Sequence, residues 1–161
     1  MPNPYVIEKQ RVAVQALLPN HPVETLSIFL DPSDLRTGGF CRPSELLERS
    51  EYFLSTVNSN DEPMFLARDA IMALAVPAAL EKPDVNDLRE AHREDIEVLF
   101  EDGTRLLGTI IYLLPEDHCR PQDYLMQEAS FFRMWSKDTV YIINKRRVAS
   151  VRPLGSRNGA T

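Results

Sequence analysis

The sequence predicts an all-β chain with minor α content, built as two tandem small five-stranded antiparallel barrels related by internal duplication. Three observations predict it. The segment Cys41-Arg42-Pro43-Ser44-Glu45-Leu46-Leu47 recurs as Cys119-Arg120-Pro121-Gln122-Asp123-Tyr124-Leu125, and a repeat at this spacing organises the whole chain. Apolar residues around both segments alternate with period two, the signature of half-buried strands. Short turn signals separate runs too brief for ordinary helices.

Each copy opens with such a strand, through Val12, Val14, Ala16 and Leu18 in the first and Ile96, Val98 and Phe100 in the second. Asp102-Gly103 supplies a hairpin turn, and Pro19-Asn20-His21-Pro22 occupies the same place in the first copy. The second strands, Val23 to Leu30 and Arg105 to Leu113, are more uniformly apolar and are therefore expected to be central. Pro43 to Arg49 and Pro121 to Gln127 read as short helical turns with proline in a tolerated first-turn position. Three strands close each copy: Tyr52 to Asn58, Met64 to Arg68 and Ile71 to Val76, then Phe131 to Trp135, Thr139 to Asn144 and Arg147 to Arg152. The internal alignment sets Tyr52-Phe53 against Phe131-Phe132, Ile71 and Leu74 against Val148 and Val151, Leu30-Asp31-Pro32 against Leu113-Leu114-Pro115, and Val12 and Val14 against Ile96 and Val98. The expected division is an arm over 1–9, a first barrel over 10–77, a charged and partly helical linker over 78–93, a second barrel over 94–153 and a flexible tail over 154–161. The two barrels are expected to pack across a pseudo-twofold axis.

At 161 residues the chain can bury about 70% of its unfolded surface, whereas either half alone would be marginal. A net charge of −6 argues against broad, sequence-independent nucleic-acid binding, which requires a positive field. The longest mostly apolar stretch, Leu106 to Leu114, is about half of a ~20-residue membrane span. With two cysteines in no zinc-like or disulfide-framework spacing, a cytoplasmic protein without metal or other cofactor is expected. Cys41 and Cys119 are read as small buried residues in equivalent niches.

The second copy runs Ile96-Glu97-Val98-Leu99-Phe100-Glu101-Asp102-Gly103-Thr104-Arg105-Leu106-Leu107-Gly108 and ends Val140-Tyr141-Ile142-Ile143-Asn144-Lys145-Arg146-Arg147-Val148. This resembles the small-barrel class of Sm-like and SH3-like domains, and most closely a family of uncharacterised bacterial domains in that class. The Sm-like resemblance implies RNA binding through loops and ring assembly through edge strands, with Asn144-Lys145-Arg146 as the chemically suitable loop.

Charge is uneven along the chain. Residues 1–80 carry 6 basic and 10 acidic groups, 81–128 carry 5 and 13, and 129–161 carry 7 and 1. Lys145, Arg146, Arg147, Arg152 and Arg157 are therefore a candidate patch for a phosphate-bearing or acidic partner, set against the plainer reading that they face the protein's own acidic stretch. The aromatic pairs Tyr52-Phe53 and Phe131-Phe132 lie on strands, where neighbours point to opposite faces. One member of each can enter a core while the other meets the second copy, a partner or solvent. Trp135 and Tyr141 complete the candidate contact set.

No nucleophile elbow, phosphate loop, dinucleotide fingerprint or zinc-protease motif occurs, so no catalytic residue is assigned. The expected function is a non-catalytic interaction or assembly subunit of a larger bacterial complex, meeting another protein or a second copy through edge strands. Nucleic-acid binding by the basic end is the alternative. A cyclic-dinucleotide sensor using Arg146-Arg147 is a minor one, since the PilZ-type Asp/Asn-x-Ser-x-x-Gly turn is absent.

Overall fold

A computed structural model describes residues 9–33, 39–82, 91–112 and 120–156. Its ten strands are β1 (Gln10–Leu17), β2 (Glu24–Leu30), β3 (Phe53–Asn58), β4 (Pro63–Ala67), β5 (Ala73–Pro77), β6 (His92–Phe100), β7 (Arg105–Tyr112), β8 (Phe131–Ser136), β9 (Thr139–Asn144) and β10 (Val148–Ser156). Two short helices, α1 (Pro43–Arg49) and α2 (Pro121–Leu125), precede β3 and β8. The mainly antiparallel β character expected from the sequence is what forms.

The strands make one open sheet in the order β10-β6-β7-β8-β9-β5-β1-β2-β3-β4. Two separate closed barrels do not form: among the described residues no ladder joins β4 to β5 or β9 to β10. The outer edge of β5 is taken by β9, from Ala73↔Ile143 to Pro77↔Thr139, so it is not available to close the first half. The junction is also not a pseudo-twofold. It joins unlike edges, the fourth strand of the second half to the fifth strand of the first.

Within each half the order is the same, fifth-first-second-third-fourth, and a single mapping satisfies the rungs. Ala16↔Leu74 matches Val98↔Val151, Ser27↔Val57 matches Thr109↔Trp135, and Phe53↔Ala67 matches Phe131↔Asn144. Each fourth strand leads through a 3₁₀ turn, Arg68–Ala70 or Lys145–Arg147, into the fifth. This mapping keeps Ile71 with Val148 and Leu74 with Val151 but corrects two other equivalences. Phe53 alone answers to Phe131, with Leu54 against Phe132, and Val14 and Ala16 answer to Ile96 and Val98. A period-two pattern fixes which face is buried and is unchanged by a two-residue slide, which is why the sequence placed the first strands two residues off.

Both helices begin alike. The Glu45 carboxylate accepts from the Arg42 N–H at 3.3 Å and the Asp123 carboxylate from the Arg120 N–H at 3.2 Å, each satisfying a donor that the helix start leaves open. Gly103, in the expected Asp-Gly turn, has φ 94°, a conformation that glycine adopts without a Cβ clash. β10 continues through Leu154, Gly155 and Ser156, residues whose composition reads as tail, while Arg157 and the rest of the tail lie outside the described residues, as do 83–90 of the linker.

The middle of the sheet is buried on both faces. Leu74, Val76, Val140, Ile142 and Phe131 belong to a core with Val14, Leu26, Ile28, Leu47 and Leu54. Their strand neighbours Ala73, Ala75, Ile143, Phe132 and Met134 belong to a second core with Ile96, Val98, Phe100 and Ile110. β5, β8 and β9 are thus a shared wall, one face to each core. In the second core His92, Tyr112 and Tyr124 stack with centroids 5.5 and 5.6 Å apart, and Tyr124 meets Phe132 edge-on at 6.5 Å.

Where β7 crosses to β8, a Cβ on Gly108 would lie 2.5 Å from the Met134 Cγ and 2.8 Å from the Trp135 carbonyl oxygen. A contact with backbone cannot be relieved by a rotamer change. Gly108→Ala is therefore expected to destabilise the protein by about 1–3 kcal/mol, the usual range for overpacking. Urea unfolding checks this, and an unchanged midpoint would contradict the close approach.

Candidate interaction surface

The residues singled out in the sequence fall into an aromatic and a basic group, and part of each serves the junction between the halves. Phe131 and Phe132 are both buried, one in each core. The Arg68 guanidinium lies 5.0 Å from the Phe131 ring centroid, a cation–π contact, and the Phe131 N–H donates to the Glu48 carboxylate at 2.8 Å. Phe131 thus packs against the first half and Phe132 into the core of its own. Trp135 is partly buried against the first core, with the Arg133 guanidinium 5.9 Å from its ring. Tyr141 is partly buried against the second.

The basic candidates are likewise engaged within the chain. Lys145 donates through Nζ to the Gln127 carbonyl at 2.8 Å. Burial lowers its ammonium below the ordinary lysine range, opposed by the nearby Glu48. Arg147 donates to the Asp69 carbonyl at 2.6 Å and lies 3.8 Å from the Glu101 carboxylate, bracing one 3₁₀ turn against the other. Arg152 reaches Glu97 at 3.2 Å. Arg146 is exposed, and its backbone N–H donates to the Asn144 side chain. Asn144, which is 1% exposed, donates in turn to the Ile71 carbonyl at 3.0 Å. The Asn-Lys-Arg loop is therefore a pin between the two halves.

Sequence reasoning missed the polar centre of the junction. Glu81, at 0% exposure, lies in the stretch whose charge reads as a solvated linker. Its carboxylate accepts from the Ser44 N–H at 2.9 Å and Ser44 Oγ at 2.6 Å, and Arg133 reaches it at 3.4 Å. Arg133 also donates to the Glu81 carbonyl at 3.2 Å, and Arg42 to that of Lys82 at 2.8 Å. One buried carboxylate thus ties α1, the segment after β5 and β8 together. No local signal marks Glu81, because its burial depends on strands distant in sequence.

Among the described residues exposed apolar surface gathers at the two ends of the sheet, with Val23 and Leu107 lying apart from it. Large exposed apolar side chains are Val23, Tyr52, Phe53, Phe65, Leu107, Met126 and Leu154. Tyr52, Phe53 and Phe65 flank the open β4 edge, with Phe65 at 69% and Phe53 at 62% exposure. Phe53 and Phe65 share a face, since Phe65 stands opposite Ser55 and Ser55 is two residues from Phe53. Leu154 lies on the other edge strand, β10, and Met126 just past α2. The sequence singled out Phe53 but not Phe65, whose strand reads as ordinary alternation.

Among the described residues no group of three or more His, Cys, Asp or Glu side chains is placed to hold a metal, and no helix is long and apolar enough to cross a membrane. Cys41 is buried, while Cys119 lies outside the described residues. Comparison with protein-family models, curated proteins and solved structures returns no match.

Two outcomes follow. Removing the Glu81 carboxylate leaves the Ser44 N–H and Oγ without their acceptor, although Arg133 keeps its bond to the residue-81 carbonyl, so Glu81→Ala is expected to cost about 1–3 kcal/mol, the range for leaving a buried donor unpaired; a loss no larger than that of an exposed substitution in urea unfolding would contradict it. The Glu97 side chain, 16% exposed, is pushed up by desolvation, but Arg152 and Arg105 more than reverse this and hold its carboxyl below the ordinary glutamate range. A depressed folded-state pKa contributes stability above the unfolded-state value that is lost as pH falls through the folded one. Arg152→Ala should raise the Glu97 titration midpoint seen by NMR and reduce this acid dependence; an unmoved midpoint would contradict the pairing.

Proposed function

We propose that this chain is a non-catalytic interaction or assembly subunit that meets a partner protein through its open sheet edges. The observation that carries the reading is the exposed Phe53–Phe65 face beside β4, an unpaired edge strand. An open edge offers a row of backbone donors and acceptors, and natural proteins keep such edges charged or covered unless they are used. Aromatic anchors beside a free edge suit strand addition, where the backbone supplies affinity and side-chain pockets supply specificity. Each half is read as a bent, incompletely closed barrel of the Sm-like or SH3-like kind, arising by duplication. The repeated strand order and the shared rung mapping support that descent.

Nucleic-acid binding is less favoured, because Lys145, Arg147 and Arg152 are already bonded within the chain. A photo-crosslinking residue in place of Phe65 tests the reading in the native cell. A protein adduct at position 65, weak or absent for the same probe at exposed His21 in the β1–β2 turn, is expected. Nucleic acid as the sole adduct, or no adduct at either position, would contradict it.

A further inference from the structure

The junction inside the chain shows what its open edges fit. In the first half, β3 and β4 are the counterparts of β8 and β9. Phe53 holds the place of Phe131, and Phe65 that of Ile142, through the rungs Ser55↔Phe65 and Arg133↔Ile142. Phe131 and Ile142 are at 6% and 0% exposure because they pack into the core of the neighbouring half, whereas Phe53 and Phe65 are bare. On the receiving side, β10 is the counterpart of β5 and α2 of α1. Val151 stands where Leu74 stands, Leu154 where Pro77 stands, and Met126 where Glu48 lies against β8. Leu74 is fully buried by the junction, while Val151 is only partly covered and Met126 is 83% exposed.

We propose that copies of this chain associate head to tail, the β3–β4 edge of one molecule docking on the β10–α2 edge of the next as β8–β9 docks on β5–α1 within the chain. The partner is a second copy. This rests on the edge-mediated reading above and deepens it by naming the occupant and the register. Continuity with the internal junction gives that register: Ala67 opposite Ala149, Leu66 opposite Ser150, Phe65 opposite Val151 and Met64 opposite Arg152.

Hydrogen bonding fits the same register. The Asn144 N–H donates to the Met72 carbonyl at 2.9 Å and the Ala78 N–H to that of Asp138 at 2.8 Å, so the bonded rungs alternate from 72/144 to 78/138. The counterpart rungs are Ala149/Ala67, Val151/Phe65 and Pro153/Pro63. On β4, Asn58 bonds to Glu62, which turns Pro63, Phe65 and Ala67 outward, and proline is tolerated on such edges. The two prolines then fall on one rung, ending the ladder there, whereas a slide of two residues would spoil two rungs. Ser55 stands at the Arg133 position, so the intermolecular junction lacks the counterpart of the buried Arg133–Glu81 pair and is weaker than the internal one. Because its two surfaces are unlike, each molecule keeps one free surface of each kind, and association continues until a ring closes or a filament grows.

Sedimentation velocity of the full chain over a concentration series tests this. Phe53→Lys/Phe65→Lys closes one edge and Met126→Lys/Leu154→Lys the other, all at exposed positions, with circular dichroism as the check on folding. Wild type is expected to sediment as species larger than one chain, growing with concentration. Each double variant alone is expected to be a monomer, and an equimolar mixture of the two is expected to form a dimer and nothing larger, since one productive pair of edges survives. A monomeric wild type, an assembly indifferent to both variants, or a mixture that stays monomeric would each overturn head-to-tail association. A monomer that still crosslinks through position 65 to a different protein would overturn this inference while leaving the edge-mediated reading standing. Should the variants unfold, a wild-type mass equal to one chain at every concentration overturns the inference by itself.

Discussion

The pairing of β9 with β5 is the constraint on which the rest of the structure depends. It is a short ladder, from Ala73↔Ile143 to Pro77↔Thr139, yet it makes one sheet of ten strands and gives three of them a core on either face. Alternate residues of β5, β8 and β9 enter different cores. Burial of a large aliphatic side chain is worth about 1.5–3 kcal/mol, so strands apolar on both faces contribute twice over, and each half supplies part of the other's interior. Half-chains of this length would be marginal alone. The junction solves that problem without closing either half into a barrel.

Polar groups then make the junction specific. A sliding sheet could bury much the same apolar area in a shifted register, but Glu81, Arg133 and Ser44 satisfy one another in one arrangement only. Asn144 reaching the Ile71 carbonyl and Arg147 reaching that of Asp69 add two more fixed points. A buried group that loses its partner costs more than the bond contributes, so these contacts penalise misregister more than they stabilise the native state. Of the basic residues at the end of the chain, Arg133 and Arg147 reach across to the first half, while Lys145 and Arg152 bond within the second.

Much of this fold was legible in the sequence because its signals are local. Period-two alternation located the strands, Asp102-Gly103 marked a hairpin, and the two Cys-Arg-Pro segments exposed the repeat. The internal alignment also gave the correct equivalence for the fifth strands, Ile71 with Val148 and Leu74 with Val151. What failed is non-local. Closure of each half was expected because five such strands can close, but which edge wins β5 is decided by β9, about 66 residues further along and beyond any periodicity. The same holds for the candidate surface. Phe131 and Phe53 hold equivalent places and look alike in sequence, yet the docking of one half on the other buries the first and leaves the second bare, while Phe132 lies in the core of its own half. Glu81 reads as linker charge for that reason too.

If the junction governs the fold, its amides must be among the last to open. Native-state hydrogen exchange, followed by NMR over a denaturant series, addresses this directly. The Asn144 and Ala78 amides and those of the rungs between are expected to exchange only by global unfolding, with the same free energy as the slowest amides of β1 and β6. Exchange at the junction through a cheaper opening, with protection in one half intact, would show two domains that merely touch and would contradict the account.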